Sequence, residues 1–214
     1  MTVARIPILK PDESYSFSQF FELAFDPEDI LSELGYGLTR AALQIPQGSP
    51  LTFPSPVLVP DPIPLQQSIT QNLTFVDLTS ETARREVIIA PILLELCRLT
   101  HSKLKIEYPI AVNDQLKGTL DYYLQSQQAL LVVEAKNADL SRGFTQLAVE
   151  LIALDQWTIV ETPILYGAVT TGDIWKLGRL DRQQRHIEQD INLYRVPTDL
   201  AELMGILVGI LTAT

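Results

Sequence analysis

The stretch Lys117–Asn137, KGTLDYYLQSQQALLVVEAKN, constrains this chain most, because its alternation leaves room for little but two strands. In the first, Leu116, Gly118, Leu120, Tyr122 and Leu124 are expected on one face, with Lys117, Thr119, Asp121 and Tyr123 on the other. In the second, Leu131, Val133 and Ala135 share a face, and Leu130, Val132, Glu134 and Lys136 share the opposite one. The polar QSQQ between them reads as a turn, although it lacks the Asn-Gly or Gly pairs of the tightest hairpins. A turn symmetric about Gln127 and Gln128 pairs residue i with residue 255 − i, which sets Asp121 directly opposite Glu134.

Like charges facing each other at about 4.5–5.5 Å between Cβ atoms destabilise a sheet. Two carboxylates held so close on a hairpin of Leu and Val call for a compensating positive charge. Mg²⁺ suits the role, since one or two carboxylates plus waters and substrate phosphates usually hold it. Lys136 projects from the same strand face as Glu134. Acid, acid and lysine on one face suit metal-assisted phosphodiester hydrolysis.

Asp121 followed 13 residues later by Glu134-Ala135-Lys136 resembles the signature of the PD-(D/E)XK, restriction-endonuclease-like nuclease superfamily. Leu120 stands where the motif's name has Pro; the Gly-x-x-Asp version, Gly118–Asp121, resembles many relatives. The resemblance implies an α/β (α+β) fold with an αβββαβ core, a central mixed sheet flanked by helices, over about residues 79–196. It implies that Asp121, Glu134 and the Ala135 carbonyl bind Mg²⁺ (or Mn²⁺), with Lys136 at the attacking water and the phosphate. The string ARREVIIAPILLEL resembles the superfamily's first core helix, on which a Glu joins the metal cluster; here that residue is Glu86. Glu86 heads a line of Ile89, Ala90, Leu93 and Cys97, although a pairing with Arg84, Arg85 or another surface residue explains it equally well. Gln146 resembles a glutamine often found near the site, but Arg142, Gln146 and Glu150 also read as a solvated polar stripe.

The chain has 214 residues, with 46% hydrophobic and 20% charged, which fits a folded domain with an extra lobe. Residues 1–78 are expected to form an N-terminal accessory region, and 79–214 the nuclease-like domain. In the first, a helix is predicted over Tyr15–Phe25, a second from Asp26 as N-cap to Leu34 before Gly35, and a strand over Leu38–Ile45. Pro46–Pro64 holds seven of the 14 prolines and reads as an extended connector. In the second, a helix from Thr79 or Ser80 to Leu99 is expected to kink at Pro91, followed by a strand Leu104–Tyr108 ending at Pro109. After the hairpin come a helix capped by Asp139, a strand pair turning at Thr171-Gly172, a strand or helix–strand junction over His186–Val196, and a last helix Asp199–Leu211.

Other chemistries find little support. The single cysteine excludes an intrachain disulfide and fits a reducing, cytoplasmic setting. CxxC pairs and His clusters are absent, which disfavours zinc. No Gly-rich phosphate loop or G-x-S-x-G elbow occurs, and His101 and His186 read as surface residues. Lys136 beside Glu134 would lower that carboxyl's pKa and hinder a glycosidase acid. No apolar run reaches the roughly 18 residues of a membrane span, and MTVARIPILKPDE carries no secretory core. The net charge of −10 opposes nucleic-acid binding in general. The expected partner is nevertheless DNA, with a separate protein supplying DNA targeting and a second copy of the chain as a homodimer partner. The alternative is an inactive nuclease-fold protein serving as a DNA- or protein-binding module.

Overall fold

A computed structural model of the chain describes residues 7–10, 12–45, 63–126, 129–136 and 138–212. Most of the proline-rich connector and Gln127 and Gln128 of the QSQQ turn lie outside them.

The N-terminal region supplies α1 (Phe17–Glu22), α2 (Pro27–Glu33) and β1 (Gly37–Ala41). Asp26 caps α2 as expected, its carboxylate accepting the Glu28 N–H at 3.0 Å, with Pro27 in the first turn. Gly35, at φ 81°, ends that helix in the left-handed conformation that glycine adopts without penalty. A helix absent from the sequence reading, α3, covers Ile63–Asn72. Then come α4 (Glu81–Arg84), a π-helical turn Arg85–Ile89 and α5 (Ala90–Thr100). Ser80 is the N-cap, its hydroxyl accepting from Ala83 N at 3.1 Å. The irregularity expected at Pro91 is therefore a π-turn. Pro91 has no N–H to donate to Val87, and Ala90 N–H donates five residues back, to the Arg85 carbonyl.

Next are β2 (Lys103–Asn113), β3 (Leu116–Gln125), β4 (Leu130–Ala135), α6 (Leu140–Trp157), β5 (Ile164–Thr170), β6 (Ile174–Asp181), β7 (His186–Asp190), β8 (Tyr194–Arg195) and α7 (Leu200–Thr212). β2 continues through Pro109 rather than ending there. It is an edge strand, the place in a sheet where proline is tolerated.

The described strands form one mixed sheet in the order β1-β7-β6-β5-β4-β3-β2, with β8 on β6. The pairs β1–β7 and β4–β5 are parallel and the others antiparallel. Helices flank both faces. On one, Phe17, Phe20, Ile30 and Leu31 join α6 in a core with Leu130, Val132 and Leu180. On the other, α3, α5 and α7 pack on Leu131, Val133, Ala135 and Leu177. Residues 7–45 thus share the core of the rest of the chain, and β1 forms the sheet edge opposite β2. No helix among the described residues is long and apolar enough to cross a membrane.

Candidate functional site

The hairpin adopts the register the symmetric turn predicts: Gln125 pairs with Leu130, Leu124 with Leu131, Tyr123 with Val132 and Tyr122 with Val133. The next pair would be Asp121 and Glu134, and there the ladder stops. Asp121 Oδ2 instead accepts the Ala135 backbone N–H at 2.9 Å. On the other side the β2–β3 ladder also skips Asp121, passing from Ile106–Tyr122 to Tyr108–Leu120 with Glu107 at φ 50°. The strands open where two like charges would have faced each other.

This break corrects the alternation expected for β3. Leu116 and Leu120 belong to the core beneath α6 together with Tyr123, whereas Tyr122 and Leu124 belong to the opposite core. Alternation along β4 holds as predicted. Leu131, Val133 and Ala135 lie in one core and Leu130 and Val132 in the other, with Glu134 turned toward α6.

Glu134 is only 1% exposed. The Lys136 ammonium lies 2.6 Å from its Oε1, and Gln146 Nε2 donates to the same oxygen at 2.6 Å. Gln146 Nε2 also donates to Glu150 Oε1 at 2.8 Å. Gln146 and Glu150 are both buried, Glu150 completely, so they are not the solvated stripe that Arg142 suggested. Only Arg142, paired with Asp139, stays exposed. α6 is apolar nearly all round, with Phe144, Leu147, Ala148, Val149, Leu151, Ile152 and Ala153 buried. An all-round apolar helix is a buried one, and that was the available signal for Glu150.

Burial is the main cause that pushes the Glu134 carboxyl up, to about 7, and the Asp121 charge adds to it while Lys136 pulls the other way. Glu150 is raised well above the ordinary carboxyl value, by burial first and then by Glu134. Burial alone would lower Lys136, but Glu134, Asp121 and Glu150 outweigh it and hold the ammonium above its ordinary value. At neutral pH Lys136 is therefore a cation and a hydrogen-bond donor.

Arg85 reaches the site from the π-turn. Its guanidinium lies 3.8 Å from Asp121 Oδ1 and 3.5 Å from Glu107 Oε1, and its Nε donates to the Tyr122 hydroxyl at 3.3 Å. Neither Arg85 nor Tyr122 was singled out as a site residue from the sequence. Glu86, one residue on, is exposed, and no described hydrogen bond or ion pair links it to Asp121, Glu134 or Lys136. The π-turn inserts a residue into the helical repeat, so the stripe that Glu86 headed on paper is not continuous in space.

Among the described residues no three His, Cys, Asp or Glu side chains are gathered to hold a metal ion. Two carboxylates suffice for a hard cation that keeps most of its waters. Taken as ionised, Glu134 Oε2 and Glu150 Oε2 are buried without a donor, as is Gln146 Oε1, but a Glu150 carboxyl that keeps its proton donates it to Glu134. A donor set made only of oxygen, from Asp121, Glu134 and the Ala135 carbonyl, fits Mg²⁺ or Mn²⁺. No protein-family model matches this chain, and no curated protein matches it.

Proposed function

We propose that this protein is a metal-dependent phosphodiesterase. Within that class it is a DNA endonuclease of the PD-(D/E)XK type, its core being the αβββαβ run from α4 to β5. The observation that carries this reading is the convergence of Asp121, Glu134 and Lys136 at the opened mouth of β3 and β4. When bound, the divalent cation supplies Lewis-acid polarisation of the scissile phosphate and neutralises charge there. The chain's own groups do the rest. Gln146 fixes the Glu134 carboxylate through Oε1. Lys136 acts as a donor: its ammonium orients the attacking water and meets charge growing on the phosphate. Arg85 holds Asp121 in place from the side of α5.

Lys136→Met tests this reading, since it keeps the aliphatic stem and deletes the charge. Wild type is expected to nick plasmid or branched DNA with Mg²⁺ or Mn²⁺. Lys136→Met should still bind DNA but cleave it on the order of 10²–10³-fold more slowly. The cation should also raise the melting temperature, and Asp121→Asn should remove most of that rise. A second reading, an inactive nuclease-fold binding module, draws on the Lys136 ammonium already compensating Glu134 at 2.6 Å and on the net charge of −10. It prevails if wild type cleaves no duplex, branched or single-stranded DNA and Lys136→Met alters only stability.

A further inference from the structure

A chain of net charge −10 that acts on a polyanion has to gather its cations locally. The sheet register places such a group. Glu134 on β4 is aligned with Val169 on β5, and Val169 with Lys176 on β6. Aligned neighbours share a face, so Lys176 stands on the α6 side, two strands and therefore about 10 Å from Glu134. Gly178, Gln189 and Arg40 are likewise aligned across β6, β7 and β1. That row is on the same face, because a Cβ on Gly178 would lie 2.6 Å from the Phe144 ring of α6. Arg40 Nε donates to Gln189 Oε1 at 3.0 Å, which draws the guanidinium back over the sheet toward Lys176. Lys136, Lys176 and Arg40 thus line up across the strands, past the first turns of α6.

Lys176 and Arg40 are unfavourable neighbours. Among the described residues no hydrogen bond or ion pair engages the Lys176 ammonium. Burial and then the Arg40 charge hold its pKa below the ordinary lysine value, and Asp190 offsets this only in part. Asp190 follows Gln189 on β7 and so alternates to the other face, where it accepts from Asn192 N at 3.0 Å and Asn192 Nδ2 at 3.1 Å. Two cations kept together with no acid between them destabilise a fold unless an anion joins them.

We propose that Lys176 and Arg40 form a subsite for the phosphodiester backbone of duplex DNA, holding the strand beyond the phosphate that meets Lys136. The subsite rests on the nuclease reading above. Its test is fluorescence anisotropy of an end-labelled duplex oligonucleotide, titrated with salt in the absence of divalent cation. Wild type is compared with the double variant Arg40→Gln, Lys176→Gln. Loss of two phosphate contacts should weaken binding and reduce the slope of log K against log salt by about 1.8. The variant's melting temperature should be unchanged or higher, because a like-charge pair has gone. A wild-type slope and affinity in the double variant overturns the subsite, and leaves the nuclease reading to the Lys136→Met cleavage assay. Weaker binding with an unchanged slope and a lower melting temperature also overturns it, as a structural role would act that way. A wild type that neither binds nor cleaves duplex DNA overturns both readings together.

Discussion

Glu134 and Glu150 compete for protons, and the competition sets a pH dependence that can be measured. A carboxyl whose pKa is raised in the folded state keeps its proton where the unfolded chain has lost it. The folded state then binds more protons, so stability falls as pH rises. The contribution is fully present below the ordinary value of 4.5 and is lost as pH rises through the folded value of about 7. Lys136 is also raised, but its contribution is present below the ordinary lysine value of 10.5 and is lost only above it, outside this window. The metal-free protein is therefore expected to melt at lower temperature as pH goes from about 4.5 to about 7 and slightly beyond. Glu150→Gln retains an oxygen for the Gln146 donor and cannot ionise. It should flatten that fall and raise the melting temperature on the alkaline side. Thermal melts in chelator across this range check both; an unchanged slope in Glu150→Gln places the titration elsewhere.

Two elements deliver the site residues, and each does so through a local exception. The π-turn before Pro91 aims Arg85 at Asp121 and Tyr122 instead of solvent. The first turn of α6 approaches the sheet closely because residue 143 is glycine. A Cβ there would lie 2.7 Å from Val169 Cγ2 and 3.0 Å from Lys136 Cγ. Helix propensity alone says that Gly143→Ala should stabilise by about 1 kcal/mol. Overpacking against a β-branched side chain in the sheet costs about 1–3 kcal/mol, and it also displaces the Lys136 stem. The steric term is expected to win. Gly143→Ala should lower the melting temperature by a few degrees and, on the function proposed above, slow DNA cleavage more than it weakens DNA binding. A more stable, fully active variant would show that α6 can lift without disturbing Lys136.

At the scale of the molecule, the N-terminal region completes both the sheet and the core. β1 hydrogen-bonds along β7, and Phe17, Phe20, Ile30 and Leu31 are buried against the α6 side. Burying each such side chain contributes about 1.5–3 kcal/mol. Four of them together approach the roughly 5–15 kcal/mol that holds a whole domain folded. A fragment of residues 79–214 is therefore expected to lose fixed packing, with weak near-ultraviolet dichroism and strong binding of an apolar dye, while the full chain shows neither. A fragment that melts as cooperatively as the full chain would establish that residues 1–78 are dispensable to the core.

Local chemistry made much of this legible in the sequence. Two-residue alternation marked β4, and turn symmetry set the β3–β4 register. Side-chain caps at Asp26, Ser80 and Asp139 marked helix starts, since a cap is a contact made within a few residues. What local pattern could not carry was set by contacts between distant segments. The kink that turns Asp121 onto the Ala135 N–H needs β2, β3 and β4 side by side. Burial of Gln146 and Glu150 needs α6 enclosed by α1, α2 and the sheet. The approach of Arg85 to Asp121 needs a π-turn whose extra residue no regular period encodes. The row of Lys136, Lys176 and Arg40 needs β4, β6 and β1 brought into one sheet across most of the chain's length. Charges far apart in sequence acquire a common field only when the sheet aligns them, and that alignment belongs to the tertiary structure alone.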